Sequence, residues 1–322
     1  MSTPLLEVKN LQKRYPIYGP LGKLFPPKTH MNAVSGLSLQ LFSGETYGLV
    51  GESGCGKTTT GRAIVGLNRP DSGEIWYQGK DLAQLSERDF RPLRREIQLV
   101  FQDPLSSLNP RQRIGALLEE PLIIQGEGDR EERRAKVLSI LEKVGLSEEH
   151  YFRYPHELSG GQVQRLGIAR ALIIHPKLIV CDEPVSALDV SIQAQILNML
   201  TALQREMGLT LLFISHDMGV VRYLSDRIGV MYLGALVEES PTDALFERPR
   251  HPYTQALFSS IPDLSKRGKS HVSLGGELPV RTDEFQGCVF HTRCPHATER
   301  CRREAPALRE IEPGHKVACH LS

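Results

Sequence analysis

The sequence predicts an α/β fold with a parallel sheet at its centre, on three observations. The apolar run Tyr47-Gly48-Leu49-Val50 leads straight into Gly51-Glu52-Ser53-Gly54-Cys55-Gly56-Lys57-Thr58, which fits G-x-x-x-x-G-K-[ST]. A second apolar run, Leu178-Ile179-Val180-Cys181, ends on the paired carboxylates Asp182 and Glu183. Between it and a further strand, Leu209 to Ser215, Ile192, Ile196, Leu200, Leu203 and Met207 mark one helical face, and Gly208 stands where a C′ residue belongs. Strand, helix, strand in that order implies a right-handed crossover between parallel strands.

Taken in order, Leu5 to Val8 and Asn10 to Tyr15 read as strand, followed by a Pro/Gly-rich surface insertion from Pro16 to Pro27. Alternation returns at Ala33 to Leu39 as a half-exposed strand. Together these predict an N-terminal antiparallel β subdomain. Tyr47 to Val50 is of buried-strand length, and Glu74 to Tyr77 and Ile97 to Gln102 are further strands. From about 103 to 171 the texture changes. Charged turns alternate with helical spacing at Val137, Ile140, Leu141 and Val144, which predicts a helical subdomain inserted into the core. After Pro241 the chain becomes Pro-rich, and a boundary is expected near residue 260. The expected division is a domain of residues 1–260 and a small Cys-rich extension of residues 261–322.

Composition narrows the function classes. The 39 Lys and Arg against 38 Asp and Glu leave a net charge of +1, which argues against coating nucleic acid or anionic lipid. Met1 to Lys9 carries no charged stretch followed by an apolar one, so no signal peptide is expected. No run approaches the 18 or so apolar residues of a spanning helix. A role at a membrane would therefore be that of a peripheral subunit.

The chemistry of the motifs follows from residue type. Glycines let backbone N–H groups turn inward around phosphate oxygens, and the helix after Gly56 aims its positive end at the same anion. Lys57 supplies charge to the β- and γ-phosphates, and Thr58 a hydroxyl to Mg²⁺. Asp182 suits the Mg²⁺ shell, because Mg²⁺ keeps several waters and takes few carboxylates, and Glu183 then polarises the attacking water. Gln102 ends one apolar strand, where it senses metal and water, and His216 follows another. Either alone is unremarkable. Four polar residues (Lys57, Gln102, Glu183, His216) ending or following four apolar strands form a constellation.

Leu158-Ser159-Gly160-Gly161-Gln162 opens a helix from Val163 to Ile173 and makes a second preformed anion site. One domain needs one phosphate cradle, so a second requires a reason. With this motif the chain resembles, over essentially its whole length, the ATP-binding subunits of ABC transporters. In that family the motif reaches across a head-to-tail dimer to the γ-phosphate held by the partner's loop. The resemblance implies that Tyr15 stacks on adenine and that Gly51, Glu52, Ser53, Gly54, Cys55, Gly56, Lys57, Thr58 and Thr59 form the nucleotide loop. It implies that Thr58, Gln102 and Asp182 attend Mg²⁺, and that Glu183, His216 and Gln102 serve hydrolysis. It further implies that Ser159, Gly160, Gly161 and Gln162 are the signature and that Ser186 to Asp189 is the D-loop. The Cys55 and Cys181 side chains fall at variable positions and are assigned no role.

A narrower resemblance, to the ATPases of dipeptide and oligopeptide importers (the DppF/OppF group), rests on Arg250-His251-Pro252-Tyr253-Thr254-Gln255-Ala256-Leu257, Gly276-Glu277-Leu278-Pro279, the insertion after Tyr15 and Leu105-Ser106-Ser107-Leu108-Asn109-Pro110. It implies a peripheral subunit on the cytoplasmic side of the inner membrane, with ATP and Mg²⁺ as cofactors. Its partners would be a second, paralogous ATPase in a heterodimer, two transmembrane permeases and a substrate-binding protein, with no nucleic acid. Nickel, haem, antimicrobial peptides and oligosaccharides remain as alternative cargoes. An ABC ATPase acting on nucleic acid or ribosomes is a rival, but such chains usually carry two such domains or long insertions, and neither is present here.

Cys288, Cys294, Cys301 and Cys319 fall within the last 35 residues, spaced C-x5-C-x6-C-x17-C. Four thiolates suit Zn²⁺ or a [4Fe–4S] cluster, and His291, His296, His315 and His320 keep mixed zinc ligation open. No C-x2-C pair is present, which weakens zinc, and the resemblance to peptide-importer ATPases implies the iron–sulfur cluster, in a structural role.

Overall fold

A computed structural model describes residues 3–18, 27–259, 279, 281–282 and 285–322. Residues 19–26 of the insertion, Gly276 to Leu278 and the boundary expected near 260 lie outside the described residues. Among the described residues the strands are β1 (Leu6–Ile17), β2 (Thr29–Leu41), β3 (Thr46–Val50), β4 (Ser72–Tyr77), β5 (Lys80–Asp81), β6 (Ile97–Val100), β7 (Leu178–Asp182), β8 (Thr210–Ser215), β9 (Arg227–Tyr232), β10 (Ala235–Pro241), β11 (Arg309–Glu312) and β12 (His315–Val317). The chain forms two compact units. One comprises residues 1–41, 46–84 and 214–322, the other 42–45 and 85–213.

In the first unit, β2-β1-β4-β5 make an antiparallel sheet, with Leu6 opposite Leu41 on one side and Tyr77 on the other. Leu6, Val8 and Leu11 of β1 and Ile75 and Tyr77 of β4 are buried while their neighbours are wetter, the alternation of a sheet covered on one face. The same unit holds the strand order β11-β12-β10-β9-β3. β3 is buried at every position and runs parallel to β9, with Tyr47 opposite Arg227 and Val50 opposite Val230.

Beyond β9 the sheet turns antiparallel, with strands past the last one expected, Leu209 to Ser215. Leu233 and Gly234 connect β9 to β10, both at positive φ (43° and 80°), the geometry of a tight hairpin whose twist matches the strands. Leu-Gly is an unusual pair for such a turn, which is why it does not read as one. β12 then pairs with β10, Glu238 opposite Val317 and Glu239 opposite Lys316, and β11 pairs with β12 outside it.

That junction is secured by a fully buried carboxylate. Glu238 accepts N–H bonds from Arg250 at 2.8 Å and His251 at 3.0 Å, and it pairs with His315 Nε2 at 2.7 Å. His251 is itself buried, and desolvation drives its pKa down to about 4. As a neutral ring it accepts the Tyr253 N–H on Nδ1 at 3.1 Å. Arg250-His251-Pro252-Tyr253, singled out in the sequence, thus joins β10 to the C-terminal strands, with His251 and Tyr253 buried.

In the second unit β8, β7 and β6 lie side by side, β6 and β7 parallel with Ile97 opposite Leu178. Helix Val190–Met207 connects β7 to β8. It buries Ile196, Leu197, Leu200 and Leu203 and stops at Gly208, at φ 64°, as the spacing predicts. From Pro104 to Leu172 the regular structure is helical. Helix Arg130–Lys143 starts on a reciprocal Asp129/Glu132 cap and buries Val137, Ile140 and Leu141. Among the described residues no helix is long and apolar enough to cross a membrane.

Candidate functional site

In the first unit the buried strand β3 delivers the chain into the glycine loop, and helix Lys57–Ile64 leaves it. Gly56 is the helix N-cap at φ 106°, and no side chain caps the first turn, so its N–H groups point into the loop. A Cβ on Gly56 would lie far inside the envelope of the Ala33 carbonyl oxygen. Lys57 is 4% exposed, and its Nζ donates to the Gly51 and Glu52 carbonyls at 2.8 and 3.0 Å. Those two carbonyls hold the buried ammonium across the loop it serves.

Other sequence-selected residues of this unit sit as follows. Tyr15, at the far end of β1, accepts a hydrogen bond from Asn68 Nδ2 at 3.1 Å, and Lys13 lies over its ring. His216 is exposed just past β8, and Asp217 caps the next helix through Gly219 and Val220. Cys55 and, in the second unit, Cys181 are fully buried, and desolvation raises both thiols, Cys181 to about 12. Neither is a nucleophile.

In the second unit β7 is buried throughout and carries Asp182 at its end, 3% exposed. Glu183 follows at φ 47°, a left-handed conformation that costs a non-glycine residue energy and turns the carboxylate out of the strand line. Gln102, two residues past β6, donates to Glu183 Oε2 at 3.0 Å, so the segments leaving these two strands meet as one polar pair. The loop after Glu183 is pinned by Gln193, whose amide donates to the Val185 and Leu188 carbonyls at 3.0 and 2.9 Å, ahead of Asp189 at the next helix N-cap.

Ser159 and Gln162 cap each other: the Ser159 N–H donates to Gln162 Oε1 at 3.0 Å, and the Gln162 N–H to Ser159 Oγ at 3.4 Å. The helix therefore begins at Gly160, three residues before the expected start at Val163. Ser159 and Gly160 are exposed at its tip. Gly161 has a second duty that the motif does not announce. A Cβ there would come within 2.6 Å of Ile192 Cγ2, so glycine lets this helix approach the one after β7.

The profile of the ABC transporter family matches residues 34–186, and that of the oligopeptide/dipeptide transporter C-terminal region matches residues 237–301. The oligopeptide transport ATP-binding protein AppF of Bacillus subtilis is 50% identical over 322 residues, spanning 98% of this chain and 97% of the relative. The chain belongs to the ATP-binding subunits of oligopeptide and dipeptide ABC transporters. The oligopeptide transport ATP-binding protein OppF of Escherichia coli is also 50% identical (98% and 95% covered), and the dipeptide transport ATP-binding protein DppF of Haemophilus influenzae is 47% identical (99% and 97%). Among solved structures, a dimeric ATP-binding cassette in a post-hydrolysis state with ADP and Pi superposes with a TM-score of 0.66 at 31% identity, over 74% of this chain and 98% of that one. A subunit of an ABC transporter complex from Clostridium perfringens gives 0.65 at 27%, over 76% and 91%. As an ABC subunit of this class the chain binds and hydrolyses ATP.

The four C-terminal cysteines are free thiols in the first unit. The Cys288 N–H donates to the Cys301 carbonyl at 2.7 Å. Burial, reinforced by Cys301, Cys319 and Cys294, pushes the Cys288 thiol up to about 11, and burial likewise raises Cys294. Each sulfur has a donor nearby: backbone bonds from Phe290 to Cys288 and from His296 to Cys294, the Leu321 N–H on Cys319 at 3.4 Å and the Thr298 hydroxyl beside Cys301 at 3.3 Å. Among the described residues no three His, Cys, Asp or Glu side chains are arranged to hold a single metal ion. The expected cluster and its zinc alternative are thus not seen as a ready-made metal site.

Proposed function

We propose that this chain is the ATP-hydrolysing subunit of an importer that carries di- and oligopeptides across the inner membrane. The observation that carries this reading is identity of about half over nearly the full length to oligopeptide transport ATP-binding proteins, through both the ATPase part and the C-terminal region. The subunit sits peripherally on the cytoplasmic face, paired with a paralogous ATPase and docked on two permeases fed by a substrate-binding protein. Leu105, 46% exposed just after Gln102, belongs to the surface that receives a permease helix. Residues 1–260 form the nucleotide-binding domain and 261–322 an extension that adds strands to the same sheet.

Tyr15 stacks on adenine, and Gly51 to Thr59 cradle the phosphates. Thr58, Gln102 and Asp182 hold Mg²⁺. Glu183 orients and activates water, and His216 contacts the γ-phosphate. Ser159 to Gln162 act on the nucleotide of the partner subunit, with Asp189 beside them. The 3.0 Å contact between Gln102 and Glu183 supports this assignment, since it joins the metal-sensing and water-activating groups in one pair. Such phosphoryl transfer depends on positioning and charge neutralisation. The test is reconstitution with the cognate permeases and binding protein in vesicles. ATP-driven accumulation of a labelled tripeptide is expected, and uptake of nickel or haem with no peptide uptake would overturn the cargo.

The four cysteines form the site of a structural [4Fe–4S] cluster. What supports this is the donor set: four thiols, three of them with a backbone N–H on the sulfur and Cys301 beside the Thr298 hydroxyl, a pattern that suits thiolate ligands. A cluster spreads its cysteines over four irons, so they need not converge on one ion. Anaerobically purified protein is expected to be brown and to hold about four irons per chain. Stoichiometric zinc without iron would refute it.

A further inference from the structure

Glu52, the residue after the leading glycine of the nucleotide loop, is held twice by the C-terminal part of the chain. Its N–H donates to the Tyr253 hydroxyl at 2.9 Å. Its carboxylate takes both arms of the Arg293 guanidinium, at 2.8 Å to Oε2 and 3.1 Å to Oε1. The Arg293 side chain is 9% exposed, against 23% for Glu52. Exposed single ion pairs contribute little, but a two-armed Arg–carboxylate fork that is largely out of water fixes geometry.

Both anchors are themselves rigid. Arg293 sits on the turn between Cys288 and Cys294, its N–H bonded to the Phe290 carbonyl at 3.1 Å, and it also donates to the Tyr232 hydroxyl at 3.3 Å. Tyr232, Tyr253 and Phe290 pack as a buried aromatic trio with ring centroids 4.6 to 5.5 Å apart. Tyr253 follows the His251 joint to the C-terminal strands. On the other side, the Glu52 carbonyl is one of the two that hold Lys57 Nζ. A displacement of Glu52 therefore displaces the phosphate-binding lysine's own support.

We propose that Arg293 is a positioning residue for the nucleotide: through Glu52 it fixes the arm of the loop that supports Lys57, and so sets the affinity for ATP. The cysteine-bearing turn is then a working part of the nucleotide site. This rests on Gly51 to Thr58 binding ATP. A loop held in its binding form avoids the ordering cost that a slack loop meets when the ligand arrives.

The test uses the purified full chain, with ATP affinity by calorimetry and steady-state hydrolysis. Arg293→Ala is expected to weaken ATP binding about tenfold, equivalent to about 1.4 kcal/mol, and to raise KM while kcat at saturating ATP stays within about twofold. Arg293→Lys keeps the charge and recovers part of the loss. Glu52→Gln gives a similar loss, and the double variant is no worse than either single one, because the two act as one unit. A purely structural role lowers Tm for each variant and leaves ATP affinity alone. Folded Arg293→Ala with ATP affinity within about twofold of wild type overturns the proposal. If Arg293→Ala does not fold, unchanged affinity in Glu52→Gln does so. A wild-type chain that binds no ATP would instead overturn the reading of the loop, a separate outcome.

Discussion

Replacing Glu183 by Gln is expected to lower ATP turnover by about 10²–10⁴-fold and to leave ATP binding in place, the usual span for loss of a general base. The substitution is close to isosteric. A glutamine oxygen still accepts from Gln102 Nε2, which lies 3.0 Å from the present carboxylate. The left-handed backbone at φ 47° is also kept, because the Ser186 N–H and hydroxyl still hold the residue's carbonyl. Only the charge and basicity next to buried Asp182 are removed. Phosphate release under single-turnover and steady-state conditions, beside a nucleotide-binding titration, reads the two effects separately. Turnover within about threefold of wild type would remove Glu183 from the chemistry.

Gly56→Ala is expected to abolish ATP binding and to lower stability by about 3 kcal/mol or more, the sum of left-handed strain and a backbone clash. At φ 106° the position disfavours any Cβ, and the atom it would meet is the main-chain oxygen of Ala33 on β2. A side chain would swing aside, but a strand carbonyl cannot. The loop is braced from a second side, since the Gly234 N–H donates to the Cys55 carbonyl at 2.9 Å, so it has no room to retreat. Chemical denaturation and an ATP titration measure the two losses. A penalty under about 1 kcal/mol with normal affinity would mean that the loop is more pliable than its packing implies.

What the sequence made legible was whatever depends on local pattern. The glycine loop, the carboxylates ending β7 and the helix Val190–Met207 with its Gly208 stop follow from residue type and spacing alone. Polar tips on apolar strands single out Gln102 and Glu183, and the fold supplies the contact between them. What stayed hidden depends on long-range pairing. Arg293 lies 241 positions from Glu52, and nothing near either residue marks the other. The β9–β10 hairpin is hard to read because Leu-Gly carries no usual turn signature, and the apolar run of β10 breaks at two buried acids, Glu238 and Glu239. Those acids are tolerated inside only because partners from other segments meet them: His315 and two backbone N–H groups for Glu238, Arg227 and Lys316 for Glu239. The Ser159 motif marks Gly161 as part of an anion site, while its close approach to Ile192 depends on both helices being in place.

The pairing of β12 with β10 also bears on how this protein stays dispersed. An uncovered strand edge is a template for a neighbour's strand, and β10 is shielded by residues more than seventy positions further along the chain. During synthesis β10 is made long before its cover. Until β12 is made it presents open main-chain donors and acceptors beside Glu238 and Glu239, which at that stage lack His315 and Lys316. The acidic pair then serves as a temporary guard, since two negative charges on a bare edge repel an identical edge. The late strand converts that repulsion into a closed, neutralised seam.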